Sequence, residues 1–153
     1  MNKPVPEETI TQILKAGMAA PSAGNEQPWH FIVIRDRGLL DKIPEFHPYS
    51  QMLGQVNVAI VVCGDPKLEK YKGFWVQDCS AAMENMLLMA VELGLGSVWL
   101  GVYPLEDRIL GLRTLLKLPD HILPLSILPI GYPAESKEPS ERFDQSRVHN
   151  DQW

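Results

Sequence analysis

Apolar positions along the chain switch between two periods, and each switch marks an element. In "PVPEETITQILKAGMAA", Ile10, Ile13, Leu14, Gly17 and Met18 fall at i, i+3, i+4, i+7 and i+8, one face of a helix. Pro6 suits its first turn, Glu7 and Glu8 suit its positive end, and Pro21 stops it. "WHFIVIRD" then reads as a strand through the β-branched Ile32, Val33 and Ile34. A short helix is expected over residues 39–43, followed by the irregular "PEFHPYSQML". "VNVAIVVCGD" is apolar at successive positions, the mark of a strand covered on both faces. "FWVQDCSAAMENMLLMAVELGLG" is the longest helix, ending at Gly94. Its apolar residues spread round most of the cylinder, as in a helix buried on most sides. In so small a domain that pattern calls for a partner subunit over part of it. "SVWLGVYP" reads as a third strand ended by Pro104, "LEDRILGLRTLLKLP" as an amphipathic helix and "LPLSILPIGYP" as a fourth strand.

Helix and strand alternate four times, which implies an α/β (α+β) architecture with helices on both faces of a central sheet. No repeat or linker interrupts residues 1–153, so one domain is expected, with its core over residues 1–131. Residues 132–153 change character. They are charged, with Phe143, Val148 and Trp153 as the large apolar anchors. Alone such a segment would be disordered. Its spaced aromatics make it an extended C-terminal arm, docked on the core or on a partner subunit.

The 153 residues suffice to bury roughly 68–70% of the unfolded surface. A hydrophobic fraction of 45% and a charged fraction of 22% argue against disorder of the whole chain. The net charge of −5 and the lack of a basic run argue against a nucleic-acid partner. No apolar run approaches the ~18 residues of a membrane span. "MNKPVPEET" lacks the apolar centre of a signal peptide, so the cytoplasm is the default location. Cys63 and Cys79 sit in apolar runs without CxxC spacing and read as buried reduced thiols rather than a disulfide or nucleophile. His30, His47, His121 and His149 have no metal-ligand spacing, so no metal is expected. GxSxG and GxxxxGK[ST] are absent. The GxG of "GLGSVW" precedes a strand, and Gly94 and Gly96 read as a helix cap and a tight turn.

Three loops remain as candidates. "AAPSAGNEQPWHF" spends Pro21, Ser22, Gly24, Asn25 and Pro28 on one connection. Such a backbone can present N–H and C=O groups to a flat ligand, and the same residues also make an ordinary turn. In "WLGVYP", Gly101 permits close approach of a ligand to the backbone, or else serves as a bulge or packing glycine. In "ERFDQSRVH", Arg142 and Arg147 could fork onto a phosphate or remain solvated charges.

In this order and wording the segments resemble the FMN-dependent nitroreductase family, in its small single-domain branch, from about Lys3 to Trp153. "AAPSAGNEQPWHFIVI" is similar to the family's helix-end flavin loop and the strand after it. "DCSAAMENMLLMAVELGLGSVWLGVYP" resembles its dimer helix and flavin-contacting strand, and "PIGYPAESKEPSERFDQSRVH" its last strand and phosphate-contacting arm. The resemblance implies a three-layer fold, a central mixed sheet flanked by helices, and a homodimer with FMN at its interface. Pro21, Ser22, Ala23, Gly24 and Asn25 would then border the isoalloxazine, with Gln27 just behind. The backbone of Trp99, Leu100 and Gly101 would face the ring, with a main-chain N–H near N5. Arg142 matches the arginine that meets the phosphate, and Arg147 is a second candidate; Met52 and Tyr103 are candidates for the substrate space.

The implied chemistry is ping-pong. NAD(P)H delivers hydride to flavin N5 and leaves, and a small electron-poor acceptor, a nitroaromatic or quinone, then takes it. The cofactor carries the reaction, so no catalytic side chain is expected. The sequence departs from the pattern at its start. Family members usually begin with an Arg-rich RRSxRxF segment that grips the FMN phosphate and pyrimidine carbonyl. Here "MNKPVPEET" stands where the family is already past it, with Lys3 as the nearby cation. Each charge-assisted bond is worth about 1.5–3 kcal/mol. Three readings stay open: a misplaced start, weaker FMN binding through Arg142 and the ring contacts, or a flavin-free relic. The alternative to an oxidoreductase is thus a non-catalytic dimeric flavin-binding module or such a relic.

Overall fold

The computed structural model describes residues 3–136, 138 and 140–153. Among them the chain forms α1 (Glu7–Met18), β1 (Trp29–Ile34), α2 (Arg37–Lys42), β2 (Val58–Gly64), α3 (Trp75–Glu92), β3 (Gly96–Ser97), β4 (Leu100–Gly101), α4 (Glu106–Leu116) and β5 (Leu123–Gly131). Short 3-10 turns fill several of the connections.

The strand order is β1-β2-β5-β3, with β4 also on β5. Every pairing is antiparallel, so the sheet is antiparallel rather than the mixed sheet implied by the resemblance. The reason lies in the placement of β5. The crossover through α3 joins the like-directed β2 and β3, the arrangement that parallel pairing needs. But β5 enters between them and runs against both.

β2 explains the unbroken apolar run. Val58, Ile60 and Val62 pack with Ile10, Ile13, Met83 and Met86 of α1 and α3, whereas Ala59, Val61 and Cys63 pack with Leu40 and Leu112 of α2 and α4. Successive residues of a strand face opposite sides, so both sides of β2 are core. The result is three layers: α1 and α3, the sheet, then α2 and α4. Met18, expected on the buried face of α1, is 55% exposed. At about 100° per residue it lies roughly 90° from the middle of the buried stripe.

"SVWLGVYP" is not one strand. β3 and β4 keep a single register against β5, from Gly96↔Gly131 to Gly101↔Ser126, but are separated at Val98 and Trp99. That register sets Val98 opposite Pro129, which has no N–H to give the ladder. Gly96, expected in a tight turn, belongs to β3. Gly94 caps α3 with φ of 70°.

A β-bulge in β5 sits beside the candidate site. Val62 faces Ser126 and Cys63 faces Pro124, leaving Leu125 as the extra residue. Its side chain turns to the α1–α3 core, although Ile127 points the other way. Its carbonyl accepts the N–H groups of both Val102 and Tyr103, each at 3.0 Å, which ends β4 and aims Tyr103.

Residues 140–153 are exposed throughout, so the arm does not pack on its own core. Phe143 is 75% exposed, and Trp153 stacks on His149 of the same segment, with ring centroids 4.3 Å apart. Among the described residues no helix is long and apolar enough to cross a membrane.

Candidate functional site

The loop between α1 and β1 is built from backbone strain held by side chains. Gly24, Asn25 and Gln27 adopt φ of 52°, 56° and 47°. Asn tolerates this left-handed region, whereas for Gln it costs roughly 1–2 kcal/mol. Asn25 N–H bonds Ser22 O and Glu26 N–H bonds Ala23 O, each at 3.0 Å, which closes the turn. Gln27 is pinned twice: its N–H donates to Ser22 Oγ at 3.1 Å, and its Nε2 to Asn25 Oδ1 at 2.8 Å. Strain of this kind persists where surroundings over-determine it and gathers at functional sites. A Cβ on Gly24 would meet the Tyr71 ring at 2.6 Å, so only glycine fits. Pro21, Gly24, Asn25 and Gln27 are exposed, while Ser22 and Ala23 are half-buried.

Two anchors hold the loop from below. Ala23 N–H donates to Asp78 Oδ1 on α3 at 2.9 Å. Glu26 turns inward and its Oε2 accepts the N–H groups of Lys70 and Tyr71 at 2.7 and 3.1 Å. Lys70 Nζ also reaches Gly24 O at 2.8 Å. The sequence reading missed Glu26 and Asp78. Their signal was available: one acid inside the turn and one in the middle of an apolar helix run.

The second loop offers bare backbone. The half-buried Trp99 packs toward the α1–α3 core and Leu100, 4% exposed, into the α2–α4 core. Leu100 can therefore present only its main chain to a ligand. At Gly101 an added Cβ would meet nothing within 4 Å. Its carbonyl is fixed from behind by two donors, His47 Nε2 at 2.9 Å and Arg108 Nη1 at 2.7 Å. His47 is 1% exposed, and burial first, then the Arg108 charge, hold its pKa below the ordinary value against the opposing bond to Gly101. The neutral ring donates from Nε2, leaving Nδ1 buried with no hydrogen-bond partner among the described residues. Sequence reasoning gave His47 and Arg108 no role, since 54 residues separate His47 from Gly101.

Other candidates are dispersed. Met52 is half-buried and lines a cavity of about 220 Å³ with Val56, Gly96 and Ser97. That is below the roughly 300 Å³ at which small-molecule pockets usually begin. Tyr103 lies elsewhere, 38% exposed and edge-on to Trp75 at 4.9 Å between centroids. Met52 and Tyr103 therefore do not share that cavity. Arg142 is exposed on the arm, with Nε donating to Ser140 Oγ at 2.9 Å, and Arg147 pairs with Asp144 at 3.1 Å. Lys3 sits over the Tyr132 ring, 4.6 Å from its centroid. Cys63 and Cys79 are buried free thiols. Burial pushes both up to about 12, which makes them poor nucleophiles.

The open backbone at Gly101, the strained loop of residues 21–27 and Arg142 on the exposed segment are thus three separate features, which a single chain does not gather into one pocket. The profile of the Nitroreductase family matches residues 1–47 and 44–132. The chain belongs to the nitroreductase family. It is 55% identical over 152 residues to a Methanothermobacter thermautotrophicus protein with the provisional name NADH dehydrogenase/NAD(P)H nitroreductase, spanning 99% of this chain and 80% of that protein. An FMN-dependent nitroreductase from Clostridium difficile has a similar structure, with TM-score 0.91, 29% identity and coverage of 100% of this chain and 92% of that one. A provisionally named nitroreductase in complex with FMN, from Desulfovibrio desulfuricans, gives TM-score 0.84 at 30% identity, covering 100% and 89%. As a member of the nitroreductase family the chain is a nitroreductase-like oxidoreductase.

Proposed function

We propose that this chain is an FMN-dependent NAD(P)H oxidoreductase that reduces nitroaromatics, quinones or similar electron-poor acceptors by a ping-pong cycle. It works as a homodimer in the cytoplasm, with the flavin at the subunit interface. The observation that carries the reading is Gly101, where open backbone is held rigid by His47 and Arg108. A planar ring can lie against such a strip without meeting a side chain. Relatives named for FMN and NAD(P)H support the choice of ring and of electron donor.

When bound, FMN would supply hydride acceptance and delivery at N5. The chain's own residues bind and orient. The backbone from Trp99 to Gly101 would hold one part of the ring, and Pro21, Ser22, Ala23, Gly24, Asn25 and Gln27 would border it. Arg142 would take the phosphate through a charge-assisted fork. Tyr103, two residues beyond Gly101, is proposed to flank the acceptor, whereas Met52 lines a separate cavity.

Dimerisation is supported by what one chain leaves uncovered. On α3, Leu88 is 61% and Val91 70% exposed, beside a groove lined by Ala16, Ala19, Asn85 and Met89. Apolar side chains on a long helix favour a covering surface, and the exposed arm has aromatic anchors to lay on a neighbour. Buried free thiols suit a reducing compartment.

The test is an FMN titration by calorimetry, with riboflavin as comparison, followed by NAD(P)H oxidation with and without an acceptor. Tighter binding of FMN than of riboflavin, with acceptor-dependent turnover, is expected. Binding without turnover would favour the non-catalytic module, and no binding of either ligand would overturn the flavin reading.

A further inference from the structure

Beneath the strained loop, Glu26 and Asp78 meet in the interior. They are 7% and 4% exposed, and each lies close enough to shift the other's titration. Each uses one oxygen elsewhere: Glu26 Oε2 accepts from Lys70 and Tyr71, and Asp78 Oδ1 accepts from Ala23. The remaining oxygens, Glu26 Oε1 and Asp78 Oδ2, are buried with no hydrogen-bond partner among the described residues. Two ionised carboxylates can only accept, so leaving both of these oxygens buried without a donor is costly, and a proton on one of the pair would supply the missing donor. The oxygens that accept from main-chain N–H groups are fixed as acceptors, which leaves Oε1 and Oδ2 as the atoms free to share such a proton.

We propose that this shared proton is the latch that holds the loop of residues 20–28 in its ligand-receiving shape, making Glu26 and Asp78 positioning residues for the flavin. The inference rests on the reading that this loop borders FMN. The connection is direct: Asp78 carries the N–H of Ala23, and Glu26 is the next residue after the strained Gly24–Asn25 pair. With the proton in place, the pair ties the loop to α3 and to Lys70 and Tyr71 at once. With it gone, two negative charges face each other in a buried gap and the loop must open to hydrate one of them.

The surrounding charges decide which acid holds the proton. Burial raises the Asp78 pKa, against the Ala23 N–H, and the neighbouring Glu26 and the Glu69 carboxylate raise it further. For Glu26, burial acts upward but is outweighed by the N–H groups of Lys70 and Tyr71, then by the neighbouring Asp78 and the Lys70 charge. Asp78 is therefore the acid and Glu26 the carboxylate. The neighbouring Cys79 thiol, raised to about 12, stays neutral and adds no charge. Because the folded state keeps a proton that an ordinary Asp loses near 3.8, the latch is complete at low pH and is lost as pH climbs through the raised Asp78 value.

The experiment compares wild type, Asp78→Asn and Glu26→Gln, each without ligand and with FMN, from about pH 5 to about pH 9, spanning the range for a raised carboxyl. Three readouts are followed: amide hydrogen exchange of the loop, the infrared band of a protonated carboxyl, and FMN affinity by calorimetry. Either amide side chain supplies a permanent donor to the gap. In wild type, loop protection and the carboxyl band should fade together as pH rises. FMN affinity should fall with them by up to about tenfold per pH unit beyond the transition. Both variants should lose the band and show flat profiles, so that Asp78→Asn binds FMN more tightly than wild type at the alkaline end. A wild-type loop with no carboxyl band, or with protection independent of pH, would overturn the latch whether or not FMN binds. If band and protection titrate together while FMN fails to bind at any pH, the latch stands as a loop lock and the flavin reading is what falls.

Discussion

His47 Nε2 lies 2.9 Å from the carbonyl oxygen of Gly101, across 54 residues of chain. Arg108, which also lies over the Tyr49 ring at 5.5 Å, supplies a second donor to the same oxygen. The bare strip on which a flavin is proposed to rest is thus clamped from its rear by a buried neutral imidazole and a guanidinium.

That clamp has a pH signature. A histidine whose folded pKa lies below its ordinary 6.5 adds stability that is whole above 6.5 and is lost as pH falls through the lowered value. Urea unfolding of wild type should therefore show stability falling on the acid side of 6.5, and His47→Gln should show a smaller fall. His47→Ala, which opens a cavity and leaves the carbonyl one donor short, should cost about 2–3 kcal/mol at neutral pH.

Gly101→Val separates folding from ligand approach. An added Cβ at this position meets nothing within 4 Å, so unfolding free energy should stay within about 0.5 kcal/mol of wild type. FMN binding should be blocked, because the branched side chain occupies the proposed ring position. Calorimetry that finds normal FMN affinity in this variant would move the ring away from β4.

Arg142→Ala tests the arm. A charged hydrogen bond to phosphate is worth about 1.5–3 kcal/mol. FMN affinity should drop by about ten- to hundredfold. Riboflavin affinity should change little, having no phosphate to lose. An equal loss for both ligands would remove Arg142 from the phosphate.

Leu88→Arg tests the subunit contact. Leu88 is 61% exposed in the single chain, so the substitution should leave the monomer's thermal unfolding nearly unchanged. If α3 is the covered face, sedimentation should show the variant as a monomer with strongly weakened FMN binding. A variant that sediments as wild type would place the contact elsewhere.

Much of this fold was legible because local patterns carried it. The stripe from Ile10 to Gly17 and the two-sided apolar run of β2 each describe their own burial. The wording of the Pro21–Pro28 loop marked it as a special connection, and the strained φ values at Gly24, Asn25 and Gln27 agree. The split of β3 from β4 was harder to see. It depends on Pro129 standing opposite Val98, a fact of register between strands that no local window contains. The mixed sheet was a misreading of the same kind, since the entry of β5 between β2 and β3 is a matter of topology.

The sequence by itself determined most of the elements and their layering and singled out the two loops proposed to meet a ligand, because periodicity and turn chemistry act over a few neighbouring residues. Only the tertiary structure decided what stands behind those loops. Glu26 meets Asp78, and His47 meets Gly101, through contacts between segments far apart in the chain. Burial then sets which of these groups carries a proton, since the cost of a charge depends on the water that packing removes.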